Sequence, residues 1–172
     1  MSAHNILLSG PPGVGKTTAV RRLADLLADR RLAGFTTEEE RVGGSRRGFR
    51  IRTFDGEEGT LAHVDISSPH RVGKYGVDVA GFERLACPAL EGAAERADVV
   101  LVDEVGKMEC FSERFCRAIR ELADAPVPLV ATVAARGGGL IAEVKRRPDA
   151  RLLRITRANR DEIPGELARL LP

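Results

Sequence analysis

Gly10-Pro11-Pro12-Gly13-Val14-Gly15-Lys16-Thr17 has the spacing G-x-x-x-x-G-K-[ST], with Thr18 directly after it. This is the Walker A arrangement, and its chemistry is that of phosphate binding. Glycines permit the backbone angles that curl successive N–H groups around an anion. Lys16 is placed to reach the β- and γ-phosphates, and Thr17 to set its hydroxyl on Mg²⁺. A second set of reactive types stands at LVDEVGKMEC (101–110), where an apolar run meets two adjacent acids, Asp103 and Glu104. Asp103 suits the Walker B role of holding Mg²⁺ directly or through water. Glu104, one residue further on, can orient a water in line with the γ-phosphate and accept its proton. The plainer readings make Glu104 an outer partner of the metal or an ion-pair partner of Lys107. Water activation is the reading preferred here.

These residues need a particular scaffold. Ile6-Leu7-Leu8 reads as a short buried strand, and Val20, Leu23, Ala24 and Leu27 recur at helical spacing on a segment starting near Lys16. The glycine-rich stretch therefore lies between strand and helix, and the helix dipole points at the bound phosphate. A strand over 99–103 would deliver Asp103 to the carboxyl edge of the same sheet. Gly34–Thr37, 127–132 and 151–155 read as further strands, and about 78–97, 112–124 and the C-terminal segment as helices. RRGFRIRTF (46–54) and GTLAHVD (59–65) flank an Asp55-Gly56 turn signal and read as an antiparallel hairpin. Residues 67–77 read as a polar loop. Strands alternating with helices predict one α/β domain over 1–172, a mostly parallel sheet flanked by helices, with a hairpin inserted at about 46–65.

The 172 residues suffice for one domain with a sizeable core. With 43% hydrophobic and 30% charged residues the chain is of globular type. A net charge of +2 argues against nucleic acid as the main partner. No apolar run approaches the roughly 20 residues that span a bilayer, and the first residues lack the pattern of a signal peptide. Cys87, Cys110 and Cys116 have no metal-ligand spacing and read as reduced thiols of a cytoplasmic protein.

At this point the chain resembles a known family: the small stand-alone nucleoside-triphosphatases of thermophilic prokaryotes, called cancer-related nucleoside-triphosphatase in vertebrates, within the P-loop NTPases. The resemblance covers nearly the whole chain. It rests on GPPGVGKTT (10–18), GFTTEEER (34–41), RRGFRI (46–51), VGKYGVD (72–78), VDEVGKME (102–109) and ANRDEI (158–163). It implies a RecA-like sheet with an inserted hairpin. It also implies Mg²⁺-dependent hydrolysis of ATP, GTP, CTP and UTP with loose base selectivity. The sequence departs from the family's pattern at Glu40, where an apolar residue is more usual, and at Ala134, where a histidine is common. Only Arg136 is basic close to Ala134, and the three glycines beyond it point to a more mobile lid.

Charge developing on a transferred phosphoryl group calls for a cation, and an arginine in cis is worth about 10³–10⁵ in rate. Lys107 and Arg136 lead the candidates, ahead of Arg41 and Arg46. Arg46, Arg47, Arg50 and Arg52 read first as the solvent face of the hairpin. If they line the cleft instead, they would draw in a second phosphate-bearing molecule. Thr132 is either a γ-phosphate sensor or a strand cap. Lys74-Tyr75 could contact a base or ribose. Asn159 reads as a helix N-cap, with Asp161 and Glu162 in the first turn, and lies near a candidate nucleobase pocket. Hydrolysis of nucleoside triphosphates is the favoured function. Phosphoryl transfer to a nucleotide or small metabolite is the alternative, and a partner-regulated switch is a third.

Overall fold

The computed structural model describes residues 4–172; the first three, part of the segment judged to lack a signal-peptide pattern, lie outside them. Nine strands form a single sheet in the order β5-β6-β4-β3-β2-β7-β8-β1-β9. Its site-bearing half is parallel: β2 (Leu32–Val42), β7 (Val99–Val105), β8 (Leu129–Val133), β1 (Asn5–Ser9) and β9 (Ala150–Arg154). The other half is antiparallel and holds β3 (Ser45–Thr53), β4 (Glu58–His63), β5 (Arg71–Val72) and β6 (Tyr75–Val77).

Alternation along β1 shows why both faces are covered. Ile6 and Leu8 point to one side and join Val20, Leu23 and Leu167 from α1 (Lys16–Leu26) and α6 (Ile163–Leu170). Leu7 points to the other side, into a core built on Phe35, Phe82 and Phe115. Those three rings meet at centroid distances of 5.3–6.1 Å, two of the pairs edge-on. This second face is covered by α2 (Val79–Leu90), the short α3 (Ala93–Arg96), α4 (Glu113–Asp124) and α5 (Gly139–Lys145). Ser112 caps α4 by accepting from Phe115 N at 3.0 Å, and it donates to Glu83 at 2.7 Å.

The hairpin expected at 46–65 is present as β3 and β4, but it is no separate appendage. β2 runs well past the four residues read as a strand, pairing with β7 through Leu32–Phe35 and with β3 through Phe35–Val42. The turn between β2 and β3 is Gly43-Gly44, whose positive φ values of 57° and 79° are what a tight two-residue hairpin needs. The stretch read as a loop at 67–77 carries β5 and β6. The single helix expected over 78–97 breaks into α2 and α3 at Gly92 (φ 70°).

Candidate active site

β1 ends at Ser9 and α1 begins at Lys16, so residues 10–15 are the turn from strand to helix. Gly13 and Gly15 take φ of 74° and 116°, angles closed to other residues at low cost. Val14 N is bound to Pro11 O at 3.3 Å, which curls the loop, and Lys16 Nζ folds back to donate to Gly10 O at 2.8 Å. The N-terminal end of an eleven-residue helix therefore faces the loop interior with its first N–H groups free for an anion. Arg160, from the segment before α6, donates to Val14 O at 3.5 Å and packs its side chain over Gly15.

β8 lies between the strand that leads into this loop and the strand that carries the acids. Asp103 on β7 is 2% exposed, and Thr132 at the end of β8 donates its hydroxyl to Asp103 Oδ1 at 2.7 Å. Asp103 Oδ2 is buried without a hydrogen-bond partner. Burial pushes this carboxyl above its ordinary range, opposed by the Thr17 and Thr132 hydroxyls, the Thr37 N–H and the charge of Arg21. A buried oxygen with no donor beside a threonine hydroxyl and a phosphate loop is the environment a divalent cation completes. Among the described residues no group of three or more His, Cys, Asp or Glu could cage a metal alone. Thr17 and Asp103 could contribute ligands to a divalent cation that a nucleotide's phosphates also hold.

Glu104 is half-buried and lines the same cleft of about 580 Å³ as Lys16, Thr17 and Asp103. Its carboxyl is raised by burial, against the pull of Lys16 and with the push of Asp103. The β7–β8 register shifts between Val102 and Val105, across the two acids. Gly10, Pro12, Gly13, Gly15 and Thr18 line this cleft too. The cations ranked first from sequence do not. Lys107 lies across the Met108–Glu109 turn, in a second depression with Arg71, Gly137 and Gly138. Arg136 is exposed and lines neither space.

Arg46, ranked behind them, does reach the cleft. It lines the cleft, with Nε donating to Tyr75 Oη and Nη1 to Glu39 Oε1, both at 2.9 Å. Its guanidinium also lies 5.2 Å from the Phe49 ring centroid and 5.6 Å from that of Tyr75. The solvent-face reading of Arg46 is thus corrected, because burying Tyr75 (7% exposed) creates a polar anchor under the hairpin. Arg47, paired with Asp65, and Arg50 and Arg52, near Glu58, do sit on the outer face. Arg41 is exposed and bound to Glu39. Tyr75 cannot stack on a base, since its ring is buried edge-on against Phe49. Asn159 is not the cap of α6, which starts at Ile163; its side chain instead closes the turn by accepting from Thr156 N and donating to Arg154 O.

Four side chains at the site had no role assigned from the sequence. Arg21, one turn beyond Thr17, reaches across the cleft to Glu38 at 3.1 Å. Phe49 supplies an apolar patch of the wall. Lys145 donates to the carbonyls of Ala134 and Ala135, which line the cleft, tying down the segment ahead of the three glycines. Its pKa is lowered by burial and by the nearby charge of Lys16. Glu109 is a buried acid in the cleft wall. Only Arg21 carried a local signal, its i+4 spacing from Thr17.

Comparison with known proteins covers nearly the whole molecule. A family described as NTPase matches residues 5–168. Nucleoside-triphosphatase THEP1 of Thermotoga maritima is 39% identical over 166 residues, spanning 96% of this chain and 94% of the relative. The human cancer-related nucleoside-triphosphatase is 36% identical over 176 residues, spanning 94% and 93%. The crystal structure of THEP1 from the hyperthermophile Aquifex aeolicus superposes with a TM-score of 0.90 at 41% identity, covering 97% of this chain and 98% of that one.

Proposed function

Since this chain belongs to the NTPase family, we propose that it is a nucleoside-triphosphatase, hydrolysing the γ-phosphate of ATP, GTP, CTP and UTP with Mg²⁺ and with little selection among bases. The observation that carries the reading is the meeting in one cleft of the 10–17 loop, the partly unpartnered Asp103 carboxyl and Glu104.

In this reading the loop N–H groups and the α1 N-terminus bind the phosphate chain. Lys16 leaves Gly10 O and turns its ammonium onto the β- and γ-phosphates. Thr17 and Asp103 would hold Mg²⁺, which when bound would neutralise charge on the phosphate oxygens. Thr132 keeps Asp103 aimed by occupying Oδ1, while Oδ2 has no hydrogen-bond partner. Glu104 orients the attacking water and takes its proton, a task suited to a carboxylate whose basicity is raised by burial. Arg46 is the cation of the cleft wall on the hairpin side, and it takes over the charge-stabilising role first given to Lys107 and Arg136. No helix of the described residues is long and apolar enough to cross a membrane. We place the whole chain in one domain, acting in the cytoplasm.

One observation favours a second reading. Arg46 and Phe49 face the cleft from the hairpin, where an acceptor for phosphoryl transfer would lie. Phosphate release from a panel of nucleoside tri- and diphosphates, with and without Mg²⁺, separates the two. Hydrolysis requires free phosphate from triphosphates and Mg²⁺ alone. Release that stays negligible until an acceptor is supplied makes the protein a kinase and overturns the proposal.

A further inference from the structure

The fold leaves Lys107 with nothing to do in the nucleotide cleft. It stands instead on the second depression, of about 500 Å³, within the range of small-molecule sites, roughly 300–1,000 Å³. No residue lines both spaces. The turn after β7 divides them, with Met108 and Glu109 lining the cleft and Lys107 and Cys110 the depression. The segment after β8 does the same, with Ala134 and Ala135 on one side and Gly137 and Gly138 on the other.

Two cations and no acid line this depression. Arg71 donates from Nη1 to Ile66 O at 3.2 Å and from Nη2 to Lys74 O at 2.9 Å. Those carbonyls fix the direction of the guanidinium without neutralising it. Lys107 is exposed, and neither cation belongs to an ion pair among the described residues. By contrast Arg31, Arg114 and Arg120 on the surface are each matched to a carboxylate. Much of the remaining wall is apolar. Val72 and Phe111 are half-buried, Ile141 is 3% exposed, and His70 lies against the Phe111 ring at a centroid distance of 4.9 Å.

Two cations without a counter-ion favour a dianion that meets both. A phosphate monoester carries about two negative charges at neutral pH, where a carboxylate carries one. The apolar wall calls for an organic body on that phosphate. We propose that the depression walled by Arg71, Lys107, Phe111 and Ile141 is a second binding site, taking a small phosphate monoester with an apolar or aromatic body beside the nucleotide cleft. Such a site is separate from the nucleotide chemistry, whichever reaction the nucleotide undergoes.

Phenyl phosphate is the probe, titrated calorimetrically into protein saturated with Mg²⁺ and a nonhydrolysable triphosphate, so that the 10–17 loop is already taken. Inorganic phosphate lacks the organic body and benzoate lacks one charge, and both are titrated alongside. The wild type should bind one phenyl phosphate with about millimolar affinity or tighter, at least about tenfold more tightly than either comparison compound. Lys107→Glu reverses an unpaired surface charge and should weaken that binding at least about tenfold. Gly138→Leu tests the space itself. Gly138 is extended, with φ −92°, and nothing stands within 4 Å of where its Cβ would be, so the leucine adds bulk at the depression without backbone strain. It should weaken phenyl phosphate at least about tenfold while triphosphate affinity stays within about threefold. No saturable binding to the wild type overturns the proposal, as does inorganic phosphate or benzoate binding as tightly as phenyl phosphate. Affinity within about threefold of wild type in either variant overturns it too, since the ligand would then lie elsewhere. Should Lys107→Glu not fold, Gly138→Leu decides alone.

Discussion

The Thr132 hydroxyl and the Asp103 carboxylate form a buried hydrogen bond of 2.7 Å that joins the ends of two neighbouring strands. It satisfies one oxygen of the acid and leaves the other without a partner. Replacing Thr132 by Val keeps the shape and deletes the donor. The Mg²⁺ concentration for half-maximal hydrolysis should rise several-fold. The nucleotide-free protein should lose about 1–3 kcal/mol in urea unfolding, the usual cost of orphaning a buried polar group. An unchanged Mg²⁺ dependence would separate Thr132 from the metal acid.

Glu104→Gln is expected to retain nucleotide and Mg²⁺ binding while turnover falls at least about 10²-fold, the scale of losing a general base. Isothermal titration with a nonhydrolysable triphosphate and a phosphate-release assay measure the two halves. Near-normal turnover would sink the water-activating role.

Lys16→Ala should weaken binding and turnover together, since Lys16 would touch phosphates in ground state and transition state alike. If nucleotide affinity survives, the side chain stays on Gly10 O and does not swing to the phosphates.

Arg46→Ala should reduce kcat by 10-fold or more on the general scale of a cis cation, about 10³–10⁵ at most, whereas Lys107→Ala and Arg136→Ala should stay within about threefold of wild type. Steady-state kinetics on the three variants decides among them. A larger loss in Lys107→Ala than in Arg46→Ala would restore the assignment made from sequence.

Glu109 also makes stability depend on pH. Its folded pKa is raised above the unfolded value, so its contribution is complete below the ordinary glutamate range and is lost as pH rises toward the folded value. Glu109→Gln should therefore raise the melting temperature of the nucleotide-free protein at pH 8 and raise it less at pH 5. Equal changes at both values would show that the group is ionised in the fold.

What could be read without coordinates was local or periodic. Residues 10–18 carry their own geometry in their glycines, and the apolar run before Asp103 announces a buried strand on its own. The outer half of β2 was harder. Glu38, Glu39 and Glu40 show no apolar alternation, because that part of the strand walls a polar cleft on one side and meets water on the other. Its signal lay in Gly43-Gly44, which the Asp55-Gly56 turn overshadowed. Arg46 stayed hidden for another reason. Its place is fixed by Tyr75, 29 residues away, and nothing in RRGFRIRTF distinguishes the one arginine that turns inward. Likewise Glu109 has no assignable role from spacing until the turn after β7 folds it into the cleft wall.

The continuity of β2 limits how such a chain can vary in length. Side chains alternate along a strand, so adding or deleting one residue between Phe35 and Glu39 would exchange the two faces from there to the tip. Arg46 would lose Glu39, and the wall of the cleft would turn inside out. Insertions are admitted at Gly43-Gly44, beyond the last strand pair, Val42 with Ser45, or where a bulge takes up the odd residue, as the ladders already do at Glu40/Arg41 and Phe49/Arg50. Between those points the hairpin keeps its faces only when it grows or shrinks by matched pairs of residues, two on each strand. The reach of the cleft wall then changes in steps set by the pleat.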